Sequence, residues 1–174
     1  MCGRYYVDDE TAREIAKLLR QMEERQRQAS MQAVGRIVAG DIYPGQEAPV
    51  LAEKDGSLCC GWQRWGFPGY EGKKLIFNAR CESALEKPLF RDGIQHRRIV
   101  VPASWFYEWN PRKEKNTFCR NDMPLLFMAG LGRRYEDGEH FVILTTAANA
   151  SMKPVHDRMP LILERQEIAE WIFH

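Results

Sequence analysis

Cys2 stands directly behind the initiator methionine, in Met1-Cys2-Gly3-Arg4. Methionine is normally removed when a small residue follows, and the chain then begins with a cysteine that carries a free α-amine and a thiol. An α-amine titrates near ~8 against ~10.4 for lysine, so a far larger fraction of it is neutral at pH 7, and a thiol near ~8.5 is partly ionised. Such a 1,2-aminothiol can attack an aldehyde through nitrogen to give a Schiff base and then close through sulfur to a thiazolidine. It can also attack an acyl carbon through sulfur alone. The structural alternative is a small residue buried near a chain end.

Three further groups of polar residues could join that chemistry. Phe77-Asn78-Ala79-Arg80-Cys81-Glu82 sets an amide, a guanidinium and a carboxylate behind an apolar run. Asn78 there is either a helix cap, with Glu82 in the first turn, or a hydrogen-bond donor at a reaction centre with Arg80 as a phosphate ligand. Trp105-Phe106-Tyr107-Glu108-Trp109 reads as a strand whose Trp105, Tyr107 and Trp109 share one face and Phe106 and Glu108 the other. Burial among aromatics would raise the pKa of Glu108 and suit it to proton transfer; an edge-strand ion pair is the alternative. His156, Asp157 and Arg158 lie in a loop leading to Leu161-Ile162-Leu163, where a scaffold can hold a histidine while substrate reaches it. His96, His140 and His174 read as surface or local structure. Trp62, Trp65, Phe67 and Tyr70, interleaved with Arg64, Lys73 and Lys74, form either a base-stacking platform with a basic rim or ordinary hairpin core.

The elements that must position these groups are mostly strands. Asp8 to Thr11 opens a helix, with Thr11 and Glu14 as a capping box, and Ile15, Leu18, Leu19 and Met22 give it an apolar stripe to about Ser30. Residues 48–53 and 58–65 read as a hairpin about Lys54-Asp55-Gly56-Ser57. Further strands are expected at 98–101, 105–109, 125–128, 141–145 and 161–163, with short helices at 83–85 and 165–172. The class is α+β: one domain over residues 1–174, with a mixed or antiparallel β core and a few peripheral helices.

The remaining bulk properties narrow the function. A net charge of +1 argues against coating long duplexes, because non-specific affinity scales with the phosphates neutralised, but permits a short basic groove. The five cysteines include no CxxC pair, which fits reduced thiols in a cytoplasmic protein. No run of about 18 apolar residues suggests a membrane span, no His, Cys or carboxylate set has metal-ligand spacing, and no cofactor is expected.

Taken in order, Met1-Cys2-Gly3-Arg4-Tyr5, Pro44-Gly45-Gln46, Trp65-Gly66, Asn78-Ala79-Arg80 with Glu82, Lys87-Pro88, Phe90-Arg91, Pro102-Ala103, Phe106 to Trp109, Ala129-Gly130-Leu131, Thr145 to Asn149, and His156 with Arg158-Met159-Pro160 resemble the SRAP family, the SOS response-associated peptidases. The resemblance spans nearly the whole chain. It implies a β-rich SRAP-like domain that senses abasic sites in single-stranded DNA, with the mature Cys2 condensing with the ring-opened sugar aldehyde to a thiazolidine crosslink. It implies that Asn78 orients the cysteine and the sugar, Glu108 relays protons, and His156 bonds the sugar oxygen or helps open the ring. Arg4, Arg80 and Arg158 would hold flanking phosphates, and Trp65 and Pro44 would also line the DNA path. The family name reflects a proposed autoproteolysis that exposes Cys2, giving a lyase-type crosslinking enzyme with a peptidase-like N-terminus. The expected protein is a cytoplasmic monomer, nucleoid-associated when bound to DNA. Trp105 departs from the family, which usually has glycine there, and the segment Phe67-Pro68-Gly69-Tyr70 is compact. Two other functions remain open at this point. An N-terminal-nucleophile amidohydrolase would use the Cys2 thiolate on an amide, and a non-catalytic single-stranded DNA module would leave Cys2 idle.

Overall fold

The structure is a computed structural model describing residues 2–21, 24–69 and 74–174. A short strand, β1 (Tyr5–Val7), leads into α1 (Asp9–Leu18), a 3-10 turn (Leu19–Gln21) and α2 (Glu24–Val34). Next come β2 (Gly40–Ile42), the hairpin β3 (Glu47–Lys54) and β4 (Ser57–Trp65), the ribbon strands β5 (Phe67–Pro68) and β6 (Leu75–Ile76), and β7 (Asn78–Arg80). After α3 (Pro88–His96) the chain runs through β8 (Arg98–Ala103), β9 (Trp105–Trp109), β10 (Lys115–Phe118), the long hairpin β11 (Leu126–Tyr135) and β12 (Gly138–Ala147), β13 (Arg158–Pro160), β14 (Ile162–Leu163) and α4 (Glu167–Phe173).

The larger sheet closes on itself. β4 pairs with β3, β3 with β8, β8 with β11 and β11 with β12, all antiparallel, and a parallel contact of β12 with β4 completes the ring. The first half of β12 serves this ring. Its second half runs past the rim and takes β7 in parallel and β13 antiparallel. Closure explains the apolar texture of β8 and β11, which are buried almost end to end: one face fills the barrel and the other is covered, so no polar alternation survives. Gly130 is required where β11 meets β12, since a Cβ there would lie 2.8 Å from the Val142 carbonyl oxygen. The β3–β4 hairpin turns at Asp55-Gly56, both at positive φ (52° and 76°), the geometry that matches strand twist in a two-residue turn.

A second, four-stranded sheet in the order β10-β9-β1-β2 stands at one end of the barrel. The chain passes from barrel to sheet at Ser104, between β8 and β9. The Ser104 hydroxyl donates to Asp8 Oδ1 at 2.8 Å and lies 3.0 Å from Thr11 Oγ1. Asp8 is also the α1 N-cap, accepting from the Thr11 amide at 3.0 Å while Thr11 Oγ1 accepts from the Asp8 amide at 3.1 Å. The start of α1, the end of β1 and the start of β9 are thereby pinned at one point.

Several expectations are corrected by the fold. The capping box is Asp8 with Thr11, not Thr11 with Glu14; Glu14 instead pairs with Lys17 and Arg165. The single long helix divides into α1 and α2, joined through the 3-10 turn, and its Met22 lies outside the described residues. Asn78 caps no helix but starts β7, and the short helix expected at 83–85 is a 3-10 turn at Cys81–Ser83. Sequence reading did not pick out α3, although Pro88 at its first turn is a start signal. Of the two readings open for His140, surface or local structure, burial removes the first: it is held by the Gly66 carbonyl and Asp137 as a structural group.

Candidate functional site

β1 and β9 bring the N-terminus to Glu108. Tyr5 pairs with Phe106, and the Tyr107 amide donates to the Arg4 carbonyl at 3.0 Å. Continuing this register sets Gly3 across from Glu108, so no side chain is interposed between that carboxylate and the start of the chain. The alternation expected for residues 105–109 holds: Glu108, 4% exposed, faces inward with Phe106. Its Oε1 accepts from the Trp109 amide at 3.3 Å.

β7 supplies the opposite wall. It is held against β12 by the Ile143–Asn78 register, and Asn78 Nδ2 donates to the Cys2 carbonyl at 2.9 Å. Cys2 is completely buried, and its thiol donates to the Arg4 carbonyl at 3.6 Å. Burial pushes the Cys2 thiol up to about 12, and the negative charge of Glu108 adds to the effect. The group therefore rests as a neutral thiol beside a carboxylate. Cys2, Asn78 and Glu108 are thus brought together by three separate strands.

Arg4 projects to the other face of the β1–β9 sheet. Its guanidinium lies 4.6 Å from the Tyr43 ring, 5.0 Å from Trp109 and 5.8 Å from Tyr107, with Asp41 at 3.7 Å. This is a cage of aromatic faces around a cation. Trp105, the departure from the family pattern, stacks on Tyr6 on the same side, with centroids 4.2 Å apart and rings within 4° of parallel. It therefore packs away from Glu108, on the outer face.

His156 and Arg158 form a second corner, where β13 joins the far half of β12. Arg158 grips Glu82 with two parallel hydrogen bonds of 2.8 and 2.9 Å and donates to the Thr145 carbonyl at 2.6 Å. The paired guanidinium holds the Glu82 carboxyl down at about 2. His156 Nδ1 accepts from the Arg158 amide at 2.9 Å and lies 2.9 Å from Asp157. The segment from Asn78 to Glu82 bridges this corner to the first. Arg80, between them, is exposed and has no ion pair among the described residues. Pro44 is half-buried in the turn after β2.

Trp65 requires a correction as a DNA-stacking residue. It is fully buried, stacked on Phe141 and tilted against Tyr5, with its Nε1 donating to the Phe77 carbonyl at 2.9 Å. No ring face is open to a base. Phe67 is equally buried, and Trp62 donates to the Ala33 carbonyl beneath Arg36. The expected platform is core, because β4 belongs to the closed barrel; Tyr70 and Lys73 lie outside the described residues. Trp65 instead braces the backbone that presents Asn78.

Sequence reading gave Tyr5 no role of its own. It is completely buried, and its hydroxyl has no hydrogen-bond partner. Asn78 Oδ1 and Arg4 Nε are likewise buried and unsatisfied. Of these, the Tyr5 hydroxyl and Asn78 Oδ1 lie at the Cys2 site, and each carries a desolvation cost of about 1–3 kcal/mol. Alternation in β1 could have placed Tyr5 on the Glu108 face, but nothing in the sequence shows that its hydroxyl lacks a partner. A cavity of about 290 Å³ adjoins this face, lined by Phe106, Phe118, Asn149, Met152 and Met159. A second, of about 770 Å³, opens among β3, β4, β8 and β11, with Cys59, Gln63 and Arg98 in its wall. Neither includes Cys2.

Among described helices, none is long and apolar enough to cross a membrane. Comparison with known proteins gives a consistent picture. Two solved structures share the fold: a protein from Bacteroides thetaiotaomicron (TM-score 0.77, 22% identity, 98% of this chain and 81% of that one) and a phage-related protein from Bordetella bronchiseptica (TM-score 0.72, 24% identity, the same coverages). The abasic site processing protein YedK of Escherichia coli is 31% identical over 180 residues, 99% of this chain and 79% of its own length. The abasic site processing protein YoaM of Bacillus subtilis is 30% identical over 146 residues, 76% of this chain and 64% of its own. Residues 1–174 match the family described as SOS response associated peptidase, and the chain belongs to this SRAP family.

Proposed function

We propose that this protein recognises abasic sites in single-stranded DNA and joins them covalently through Cys2, once Met1 is removed by processing or autoproteolysis. The observation that carries the reading is the clasp at the N-terminus: Asn78 fixes the Cys2 carbonyl while Glu108 is buried beside a neutral thiol. A free α-amine on Cys2 would attack the sugar aldehyde, forming a carbon–nitrogen bond and, after loss of water, an imine. The thiol sulfur would then add to the same carbon as its proton passes through Glu108 to the nitrogen, closing a thiazolidine. The net change is the loss of one water. His156 would bond the opened sugar, and Arg4, Arg80 and Arg158 would hold phosphates. The names of the E. coli and B. subtilis relatives support abasic DNA as the target.

The amidohydrolase alternative would use Cys2 but gives no role to the constellation of Asn78, Glu108, His156 and the arginines. An amine-first sequence needs only the neutral thiol for its second step. A monomer acting in the cytoplasm on exposed single strands fits this reading.

Intact-mass analysis of the protein mixed with a single-stranded oligonucleotide bearing one abasic site tests the proposal. The expected product has the mass of methionine-free protein plus DNA minus one water, and it is absent with Cys2→Ala or undamaged DNA. A folded, methionine-free protein that gives no adduct would refute the covalent reading and leave glutamine hydrolysis and plain strand binding to be tested.

A further inference from the structure

We infer that Tyr5 is a further catalytic residue of the Cys2 site, its buried hydroxyl donating a hydrogen bond to the oxygen on the sugar carbon that Cys2 attacks. This rests on the covalent reading above.

Tyr5 and Phe106 are cross-strand partners, so Tyr5 shares the inner face with Phe106 and Glu108, and Glu108 lies diagonally across from it. Its ring packs 5.0 Å from Trp65, whose own donor is already committed to the Phe77 carbonyl, immediately before Asn78. The phenol therefore stands between the wall that carries Glu108 and the wall that carries Asn78. Burial pushes its pKa well up, so the hydroxyl keeps its proton, and it is close enough to Cys2 for the two groups to interact electrostatically. It serves as a fixed neutral donor rather than an acid that gives its proton away.

Two unsatisfied atoms with complementary needs flank the cysteine. Tyr5 Oη has a hydrogen to donate, and Asn78 Oδ1 has lone pairs to fill, yet they do not bond each other. The carbinolamine formed when an amine adds to an aldehyde answers both. Its oxygen accepts from Tyr5, and its nitrogen donates its remaining hydrogen to Asn78. As the carbon–nitrogen bond forms, the carbonyl π pair moves onto oxygen, which takes the amine's proton by way of Glu108. That oxygen leaves as water when Glu108 passes to it the remaining proton of the nitrogen, whose lone pair forms the imine bond, and Tyr5 retains its own hydrogen throughout. A donor aimed at an oxygen that gains charge only during reaction stabilises the transition state more than the bound aldehyde.

The test compares methionine-free wild type with Tyr5→Phe. Single-turnover adduct formation at saturating abasic single-stranded DNA should slow by at least tenfold. Affinity for a strand carrying a tetrahydrofuran analogue, which lacks the reacting oxygen, should not change, and Tm should stay level or rise, since the substitution removes an unsatisfied buried hydroxyl. The rate-against-pH curve should drop without moving sideways, because the phenol does not titrate near neutrality. Wild-type rates in the variant would overturn the inference. So would a slower variant that also loses affinity, stability or the position of its pH profile, since that pattern marks a packing defect. If wild type itself forms no adduct, the covalent reading fails and this one falls with it, an outcome distinct from a wild type that reacts beside an equally fast Tyr5→Phe.

Discussion

The two polar corners of the molecule differ in what their buried charges and dipoles meet. At the Arg158 corner the polar groups of Glu82 and Thr145 meet partners, although Arg158 Nε is left buried without one: two parallel hydrogen bonds join the guanidinium to Glu82, a third reaches Thr145, and the carboxyl is held far below its ordinary range. At the Cys2 corner burial is deeper and satisfaction poorer. The thiol is desolvated, and the Tyr5 hydroxyl and Asn78 Oδ1 have no partners. A satisfied ion pair is a finished structure, and a ligand can use Arg158 only by competing with Glu82. Unsatisfied buried groups are tolerated where something else completes them, and under the proposed function the substrate would complete those beside Cys2, a place neither cavity reaches.

The largest effect expected from breaking this contrast comes from Asn78. Asn78→Ala removes the donor to the Cys2 carbonyl and leaves that acceptor buried, at a cost of about 1–3 kcal/mol. Calorimetry should show a Tm lower by several degrees, and adduct formation should slow at least tenfold because the cysteine is no longer held. Retention of both Tm and rate would mean that the clasp is incidental. A smaller effect is expected at the other corner. Glu82→Gln releases Arg158 from a charged competitor, so affinity for single-stranded DNA should rise a few-fold at low salt. The slope of log K against log salt should steepen by up to about 0.7, one further phosphate on a single strand. A loss of affinity would instead show that Arg158 acts only by holding Glu82 and the end of β12.

The sequence made the Cys2 corner more legible than its surroundings. Period-two alternation placed Glu108 opposite the face of Trp105, Tyr107 and Trp109, and the strand bounds of β9 follow from that pattern alone. The β3–β4 hairpin was readable from its Asp-Gly turn. Trp65 was not, because an aromatic in a hairpin looks the same whether its strand is an edge or a stave of a closed ring, and closure depends on the distant contact of β12 with β4. The cap of the first helix was misplaced for a local reason: Thr11 can serve either at the cap or at the third position of a capping box, and Asp8 takes the cap. The Arg158–Glu82 pair spans 76 residues and has no local signature, and the unsatisfied state of Tyr5 is a property of three-dimensional packing.

The two corners should also load opposite ends of the pH axis, and this is the finest of the expected differences. The folded Glu82 carboxyl titrates at about 2 against an ordinary 4.5. Between these values the unfolded chain binds a proton that the folded chain does not, so the contribution of the pair is fully present above pH 4.5 and is lost as pH falls toward 2. The Glu82 side chain is half exposed, and solvent screening keeps the effect small. For the Cys2 thiol the sign reverses. Its value rises from 9.0 to about 12, so folding favours the protonated form, and stability is lost as pH climbs through that window. Tm measured against pH for wild type and Glu82→Gln should therefore differ near neutrality, converge only as pH falls to about 2, and run parallel on the alkaline side, where Cys2 and Cys60, a second buried thiol pushed up to about 12, act alike in both. Curves that stay separated at low pH would show that Glu82 supports the fold through contacts other than its charge on Arg158.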